Sequence, residues 1–246
     1  MRVLVLSDIH GNLQALQAVL AAAGDFDQLW NLGDAVGYGA NPNQVIDILR
    51  ERAALNVRGN HDRVCAGLTS SVGFNPVAAQ AADWTRATLT EGNLQWLREV
   101  PKGPVRATAE ATCAHGSPLH EDHYILSMRD AWTPLQRMET GLTFFGHTHL
   151  QGGFVQQGAE WEELRPLCGS DGECELTIPP GARMLVNPGS VGQPRDRDMR
   201  AAFAIYDSEA QTITFHRVAY DLAGAQSAIR AAGLPERLAA RLETGR

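Results

Sequence analysis

Histidine, aspartate and asparagine side chains recur at one kind of position in this sequence, just after short apolar runs. Seven of them have the chemistry of metal ligands: Asp8, His10, Asp34, Asn60, His115, His147 and His149. A set that mixes imidazole nitrogens with carboxylate and amide oxygens suits Mn, Fe, Zn, Co or Ni better than Ca or Mg, which prefer oxygen alone. Each motif alone is also typical of a helix cap or a turn, whereas the whole set predicts a metal site.

The elements that must position these side chains are short buried strands. Apolar runs at residues 3–6, 29–32, 55–57, 111–114, 142–145 and 184–186 each end in a polar cluster that contains glycine. Runs of this length that end at Gly or Pro favour buried strands over helices. Helical patterns lie between them, at about 13–23, after the Asn41-Pro42 cap, and over about 76–99 as one or two helices.

The alternation of strand and helix is typical of an α/β fold with an extensive sheet. Ligands of such sheets bind just beyond the carboxyl ends of the strands. All six polar clusters fall at such ends, so the loops are expected to converge on one site.

Length and composition fit one globular domain. The chain has 246 residues, of which 44% are apolar and 20% charged. No apolar run approaches the ~20 residues of a membrane span and no secretory signal is evident, so we expect a cytoplasmic protein without a membrane partner. A net charge of −7 argues against nucleic-acid binding. It does not argue against a small phosphorylated substrate, because bound metal ions add local positive charge.

The C-terminal part changes character. Residues 201–206 and 212–218 predict a hairpin, and two short helices are expected at about 222–232 and 235–244. Weaker strand signals occur at 154–155 and 175–178. We expect a single domain over residues 1–246, with the C-terminal hairpin and helices from about residue 200 packed on it or capping it. This part could form a dimer surface or cover the sheet, which leaves the oligomeric state open.

The four cysteines, Cys65, Cys113, Cys168 and Cys174, form neither a Cys-x-x-Cys zinc pattern nor a dense disulfide scaffold. A turn-rich loop separates Cys168 from Cys174 and would allow the two to meet. Free thiols are the expectation for a protein of a reducing compartment.

The motifs that carry the seven residues have a fixed order: Asp8-x-His10, Gly33-Asp34, Gly59-Asn60-His61-Asp62, His115-Gly116 and Gly146-His147-Thr148-His149. This ordered set resembles the signature of the calcineurin-like metallophosphoesterase superfamily. Residues 187–196, Asn-Pro-Gly-Ser-Val-Gly-Gln-Pro-Arg-Asp, are similar to a further segment of its small prokaryotic phosphodiesterase branch.

The resemblance implies a four-layer sandwich in which two mixed sheets face each other and helices cover the outside. It also implies two divalent metal ions, with manganese first and Fe, Ni, Co or Zn as alternatives. Asp8, His10 and His149 would hold the first ion, Asn60, His115 and His147 the second, and the carboxylate of Asp34 would bridge both. Two adjacent cations make hydroxide available near neutral pH for attack on a phosphate ester.

His61 follows the ligand Asn60 and is not itself assigned to a metal ion. We predict that it donates a proton to the leaving-group oxygen, with Asp62 as the partner that orients and charges its ring. The alternative for Asp62 is that it only caps a turn.

Four further side chains are candidates for contacts with substrate. Asn12 could reach phosphate oxygens, and Tyr38 could line the pocket. Arg195 and Arg197 could clamp a phosphate or carboxylate, because a guanidinium matches such oxygens in pairs. A structural or solvated position is the alternative for each of the four.

One departure from the protein phosphatase branch bears on the substrate. That branch carries Gly-Asp-x-x-Asp-Arg-Gly, whose arginine holds a phosphomonoester dianion, whereas residues 33–39 here are Gly-Asp-Ala-Val-Gly-Tyr-Gly. We therefore expect hydrolysis of a small phosphodiester or nucleotide, with a phosphomonoesterase or protein phosphatase as the alternative. A nuclease would need a basic groove or a ladder of aromatic side chains. A catalytically silent scaffold of the same fold would have lost some of the ligand residues, all of which are present.

Overall fold

The computed structural model describes residues 1–166 and 172–246, and within them the strands form two six-stranded sheets. The first sheet contains β1 (Arg2–Leu6), β2 (Gln28–Asn31), β3 (Ala53–Asn56), β9 (Glu173–Thr177), β11 (Ala201–Asp207) and β12 (Thr212–Val218). Its strand order is β3-β2-β1-β11-β12-β9. The pairs within β3-β2-β1 are parallel and the remaining pairs are antiparallel, so the sheet is mixed.

The second sheet contains β4 (Val105–Arg106), β5 (Ala111–Cys113), β6 (Leu142–Phe144), β7 (Gly152–Gln157), β8 (Glu160–Leu164) and β10 (Arg183–Asn187). Its order is β4-β5-β6-β10-β7-β8, with parallel pairs in β5-β6-β10 and antiparallel pairs at both ends. The predicted α/β fold with two mixed sheets is confirmed.

The helices of the described residues are α1 (Leu13–Ala22), α2 (Pro42–Arg52), α3 (Asn60–Cys65), α4 (Pro76–Thr88), α5 (Glu91–Glu99), α6 (Met128–Arg137), α7 (Leu222–Ala231) and α8 (Glu236–Ala240). A short 3₁₀ turn, Arg241–Glu243, follows α8. Asn75 and Thr90 cap α4 and α5 by accepting hydrogen bonds from backbone amides of the first turn. None of these helices is both long enough and apolar enough to cross a membrane.

Strand β1 divides its side chains between two hydrophobic cores, because successive residues of a strand point to opposite faces. Val3 and Val5 face the core between the sheets, which also buries Trp30, Phe144, Met184, Tyr206 and Phe215. Leu4 and Leu6 face the core beneath α1 and α2. On the outer face of the second sheet, α6 packs its own apolar residues against β7 and β10. The layers therefore run helix, sheet, sheet, helix.

The C-terminal helices pack beside the loop that follows β2. Ala225, Leu238 and Leu242 share a buried cluster with Tyr38 and with Ala81 of α4. This packing brings the segment after residue 235 next to the loops at the ends of the strands.

The six predicted strands and the C-terminal hairpin are confirmed within two residues at each end. Both C-terminal helices are also confirmed, but α8 ends at Ala240, four residues before the predicted end, and the 3₁₀ turn Arg241–Glu243 follows it. Four elements were not predicted: helices α3 and α6 and strands β4 and β8. Helix α6 contains Pro134, and proline is disfavoured in a helix interior. Strand β8 is a charged edge strand that alternates only weakly.

Three cysteines lie in the described part of the chain, and Cys65, Cys113 and Cys174 are free thiols there. Burial raises the pKa of the Cys65 and Cys113 thiols. The question of a pair between Cys168 and Cys174 lies outside the described residues, because Cys168 falls in 167–171.

Candidate metal centre

The seven predicted ligands lie just beyond the carboxyl ends of β1, β2, β3, β5 and β6, and the fold brings them together. Asp8, His10 and His149 form one group whose ligand atoms lie within 4.8 Å of one another. The Nε2 atom of His149 lies 3.3 Å from Asp8 Oδ1 and 3.2 Å from His10 Nε2. All three side chains are buried, so these atoms face a common point screened from bulk water.

A second group consists of Asp34, His115 and His147, again with ligand atoms within 4.8 Å. The Nε2 atom of His115 lies 3.4 Å from Asp34 Oδ2 and 3.1 Å from Asn60 Oδ1. Asn60 therefore lies beside this group, where the resemblance would place it.

Asp34 stands between the two groups. Its Oδ1 atom accepts a hydrogen bond of 2.8 Å from the amide of His61, which fixes the carboxylate. Its Oδ2 atom lies 3.7 Å from His10 Nε2 and 3.4 Å from His115 Nε2. One oxygen thus faces both groups, as required of a carboxylate shared by two cations.

Backbone carbonyls orient three of the histidines through their Nδ1 atoms. His10 Nδ1 lies 3.1 Å from the oxygen of Val36, His115 Nδ1 lies 2.9 Å from that of Leu32, and His149 Nδ1 lies 2.6 Å from that of Gln193. Because a carbonyl only accepts, Nδ1 carries the proton, and the Nε2 lone pair is left to face the site. This outer contact is typical of metal-binding histidines.

His147 is held through its other nitrogen. Its Nε2 atom lies 3.3 Å from the backbone oxygen of Asp122, which leaves Nδ1 as the ligand atom. The loop that carries this oxygen is tied to α3, because Arg63 donates hydrogen bonds to the carboxylates of Glu121 and Asp122.

The backbone around the site is strained. Asp8, His10, Asp34, His147 and His149 all have φ between 50° and 66°, a region that side-chain-bearing residues rarely adopt. Such strain persists only where the surrounding structure imposes it, and it is concentrated at functional sites.

Two glycines allow the loops to approach each other closely. A Cβ atom on Gly59 would meet Asp34 Oδ1 at 2.0 Å, and one on Gly146 would meet Ser7 Oγ at 1.8 Å. No larger residue fits at either position without displacing the ligand loops.

Asp8 shows that the site suits a cation. Its Oδ2 atom accepts hydrogen bonds from Ser7 Oγ at 2.6 Å and from the amide of His147 at 3.0 Å. Its Oδ1 atom is buried and has no hydrogen-bond partner. An unpaired buried carboxylate oxygen is costly in a protein interior, and a divalent cation would satisfy it. The donor set and this orphaned oxygen both fit a metal ion.

Burial dominates the ionisation of the ligands. It raises the pKa of Asp8 to about 6 and lowers the pKa values of His10 and His149 well below the ordinary range, which favours the neutral imidazole that binds metals. At His115 burial is outweighed by the carboxylates of Asp34 and Asp8, which raise its pKa to about 10. The negative field of these carboxylates therefore stabilises positive charge at the centre of the site.

His61 borders the site without belonging to either group. Its ring lies 4.9 Å from the ring of His10 and 4.4 Å from that of Tyr38, and burial lowers its pKa to about 4. Its Nδ1 atom is buried and has no hydrogen-bond partner.

The predicted pairing of Asp62 with His61 is wrong. Asp62 Oδ1 accepts a hydrogen bond from the amide of Val36 at 3.1 Å, and Oδ2 accepts one from the amide of Gly59 at 3.0 Å. Both oxygens therefore bind backbone, where they cap α3 and tie it to the loop after β2. Asp62 positions the Asn60–His61 segment rather than charging the imidazole.

Two predicted substrate contacts are also corrected. Asn12 caps α1 through its Oδ1 atom, and its Nδ2 atom donates to the oxygen of Gly192 at 3.0 Å, so the side chain is fully used in the fold. Arg197 is exposed and lies outside the cavity above the ligands. His120 and His123 are exposed.

Tyr38 and Arg195 do line that cavity, which has a volume of about 750 Å³. Sequence reasoning missed several of its other residues: Tyr124, whose ring stacks 3.9 Å from that of His147, and Arg237, Arg241 and Arg246. It also missed Phe74, whose ring packs 4.5 Å from that of His61. No local motif marks them, because they come from loops and from the C-terminal segment.

The fold and the site together define a class of protein. The model of the calcineurin-like phosphoesterase superfamily domain matches residues 1–211. The chain belongs to this superfamily and is a phosphoric ester hydrolase, and its two ligand groups suit the divalent metals that the family uses.

Relatives that match over the whole chain support this placement. The crystal structure of a metallophosphoesterase from Sphaerobacter thermophilus is 40% identical, with a TM-score of 0.86 over 100% of this chain and 99% of that one. The uncharacterized protein MJ0912 of Methanocaldococcus jannaschii is 35% identical over 98% of this chain and 97% of its own length.

A more distant similarity covers only part of the chain. The symmetrical bis(5'-nucleosyl)-tetraphosphatase of Erwinia tasmaniensis is 28% identical over 116 residues, which are 45% of this chain and 42% of that enzyme.

Proposed function

We propose that the chain is a dinuclear phosphoesterase that hydrolyses a small phosphodiester or nucleotide. Asp8, His10 and His149 would hold one divalent cation, and Asn60, His115 and His147 the other. The observation that carries the proposal is the position of Asp34 Oδ2, which lies within 3.7 Å of a nitrogen from each group. When bound, two such cations acidify water and neutralise phosphate oxygens. The mixed donor set suits manganese, with Fe, Ni, Co or Zn as alternatives.

His61 is assigned to the leaving group. It forms one wall of the cavity next to Asn60, and its neutral ring donates from one nitrogen only. A phosphoryl group bound beside the ring favours its protonated form and opposes the effect of burial on its pKa. His61 can then donate a proton to the departing oxygen. Asp62 contributes by holding the first turn of α3 in place.

Three observations support a small substrate. The cavity is walled by α4 and the C-terminal helices, and this suits a small molecule better than a folded protein. The loop after β2 places Tyr38, rather than an arginine, next to His61. The partial similarity to symmetrical bis(5'-nucleosyl)-tetraphosphatases agrees with a nucleotide.

A phosphomonoesterase is the second candidate, and Arg195 is the observation that favours it. Its guanidinium lies in the cavity, where it could bind the additional charge of a monoester dianion.

A substrate screen tests the proposal. The purified protein is stripped with a chelator, reconstituted separately with Mn, Ni, Co, Fe and Zn, and assayed on bis(p-nitrophenyl) phosphate, p-nitrophenyl phosphate and diadenosine tetraphosphate. We expect diester or dinucleotide hydrolysis that requires added metal. Hydrolysis of the monoester alone would favour the second candidate, and a metal-loaded protein inert towards all three would favour a silent scaffold.

When Asp34→Asn is stripped and reconstituted in the same way, we expect it to retain less of both metal ions, because the substitution removes the shared negative charge. Asp25→Asn is a matched control on the exposed surface. Retention of two metal ions by Asp34→Asn would contradict the bridging role.

A further inference from the structure

The cavity above the metal centre concentrates positive charge. Arg195, Arg237, Arg241 and Arg246 line it, and Asp34 is the one Asp or Glu among the described residues that line it. The chain as a whole carries a net charge of −7. Guanidinium groups gathered in one cavity of an acidic protein indicate an anionic ligand.

These arginines differ from others nearby. Arg217 pairs with Asp196 and Arg230 with Glu236. In contrast, within residues 1–166 and 172–246, no Asp or Glu side chain forms an ion pair with Arg195, Arg237 or Arg241.

In the described part of the chain, Arg195 and Arg241 lack a carboxylate side chain as partner, although the Nε atom of Arg241 donates a hydrogen bond to the backbone oxygen of Arg246 at 2.5 Å. Arg195 donates to Gln193 Oε1 at 3.2 Å, but its Nε atom is buried and has no hydrogen-bond partner. The guanidinium of Arg241 lies 5.9 Å from the centre of the Tyr38 ring. Burial, and after it the charge of Arg195, lowers the pKa of Arg241 to about 10. Like charges held together in a partly buried place destabilise a protein unless an anion compensates them.

The arginines extend outward from the metal centre. The backbone amide of Arg195 donates a hydrogen bond to the backbone oxygen of His149 at 3.3 Å, so Arg195 lies directly beside the ligands. Arg237 of α8 and Arg241 of the 3₁₀ turn that follows it line the same cavity. The positive charge therefore continues from the scissile position towards α8, along a cavity with room for more than one phosphate group.

We propose that Arg237 and Arg241 form a second anion site, which binds a phosphate group other than the one being cleaved, with Arg195 between this site and the metal centre. The substrate is then an ester or anhydride with at least two phosphate groups, of which nucleoside and dinucleoside polyphosphates are the chemical class. The inference rests on the proposed function, because it names the substrate of the same site.

Binding of inorganic tripolyphosphate tests the second site without catalysis. Calorimetry compares the wild type with Arg237→Gln, with the double variant Arg237→Gln/Arg241→Gln, and with Arg137→Gln, an exposed control on α6. Loss of charge-assisted hydrogen bonds is expected to weaken binding by about ten- to a hundredfold in the double variant and by less in Arg237→Gln. The control should bind as the wild type does. Arg237 is exposed, so the single variant is expected to fold even if loss of Arg241 affects packing.

Kinetics separate this inference from the proposed function. In the double variant, kcat/KM for diadenosine tetraphosphate relative to that for bis(p-nitrophenyl) phosphate should fall at least about tenfold. Metal-dependent diester hydrolysis with an unchanged ratio and unchanged tripolyphosphate binding would overturn the second anion site and leave the proposed function standing. Tripolyphosphate binding that depends on Arg237, in a protein without esterase activity, would overturn the proposed function and retain the anion site.

Discussion

The core between the two sheets and the edge where their strands end differ in how well their residues are satisfied. Between the sheets, the rings of Trp30, Phe144 and Tyr206 pack with centroids 5.5 to 6.2 Å apart, and the side chains are apolar or find partners. At the edge, five ligand residues have positive φ and Asp8 leaves a buried oxygen unpaired. The first region stabilises the fold. The second region is strained, and the stability of the rest of the fold holds its ligand side chains in place.

If this contrast is right, variants at the edge should change activity or metal binding, and variants between the sheets should change stability. The largest effect on catalysis is expected for His61→Ala, which removes the proposed proton donor but no metal ligand. We expect kcat to fall by roughly 10²–10⁴-fold while both metal ions remain bound. Steady-state kinetics and metal analysis of the same sample check this, with His120→Ala as a surface control. Unchanged turnover would remove His61 from the reaction.

Phe215→Ala tests the opposite region. Phe215 is 1% exposed and lies in β12, away from the ligand loops. Its truncation should lower the free energy of unfolding by about 3–5 kcal/mol, because it leaves a cavity in the core between the sheets. Denaturant unfolding measures this loss. The folded fraction should still bind metal with unchanged stoichiometry, and a loss of metal would show that the two regions are coupled.

Asp8→Asn should sharpen the contrast by separating stability from metal binding. The amide at position 8 could donate to His149 Nε2, which lies 3.3 Å from the present Oδ1, and asparagine tolerates the φ of 53°. We expect weaker metal binding, together with a gain of about 1 kcal/mol in the unfolding free energy of the chelator-treated protein. Thermal unfolding in the presence and absence of chelator distinguishes the two effects. A metal-free variant less stable than the wild type would contradict the account of Asp8 as a strained, unsatisfied group.

The smallest effect is expected for Arg63→Gln, which acts from outside the ligand groups. Arg63 holds the loop whose Asp122 oxygen accepts from His147 Nε2. Loosening this outer contact should lower the affinity of the Asn60–His115–His147 group for its metal ion by roughly tenfold. The affinity of the other group should not change. A metal titration with activity as the readout resolves the two affinities. An equal loss of affinity for both ions would argue for a general loss of structure.

The convergence of the seven candidate ligands and most of the strands could be predicted from the sequence for a physical reason. Each ligand follows a short apolar run, and a strand end fixes where the next residues lie, so local pattern and position in the site are directly linked. Asp62 was misassigned because adjacency in the chain does not say which way a carboxylate points, and backbone amides of Val36 and Gly59 bind both of its oxygens.

The arginines of the C-terminal segment could not be predicted in the same way. Their place in the cavity depends on how α7 and α8 pack against Tyr38 and α4, a contact between segments more than 130 residues apart in the chain. Nothing in the local sequence around Arg237 or Arg241 encodes that contact. Helix α6 was missed for the opposite reason, because tertiary packing overrides the local signal of Pro134.

Anomalous diffraction from crystals grown with manganese tests the shared carboxylate most directly. We predict two adjacent peaks, one contacted by Asp8, His10 and His149 and the other by Asn60, His115 and His147, with Asp34 Oδ2 contacting both. A single peak, or two peaks of which only one contacts Asp34, would contradict the account.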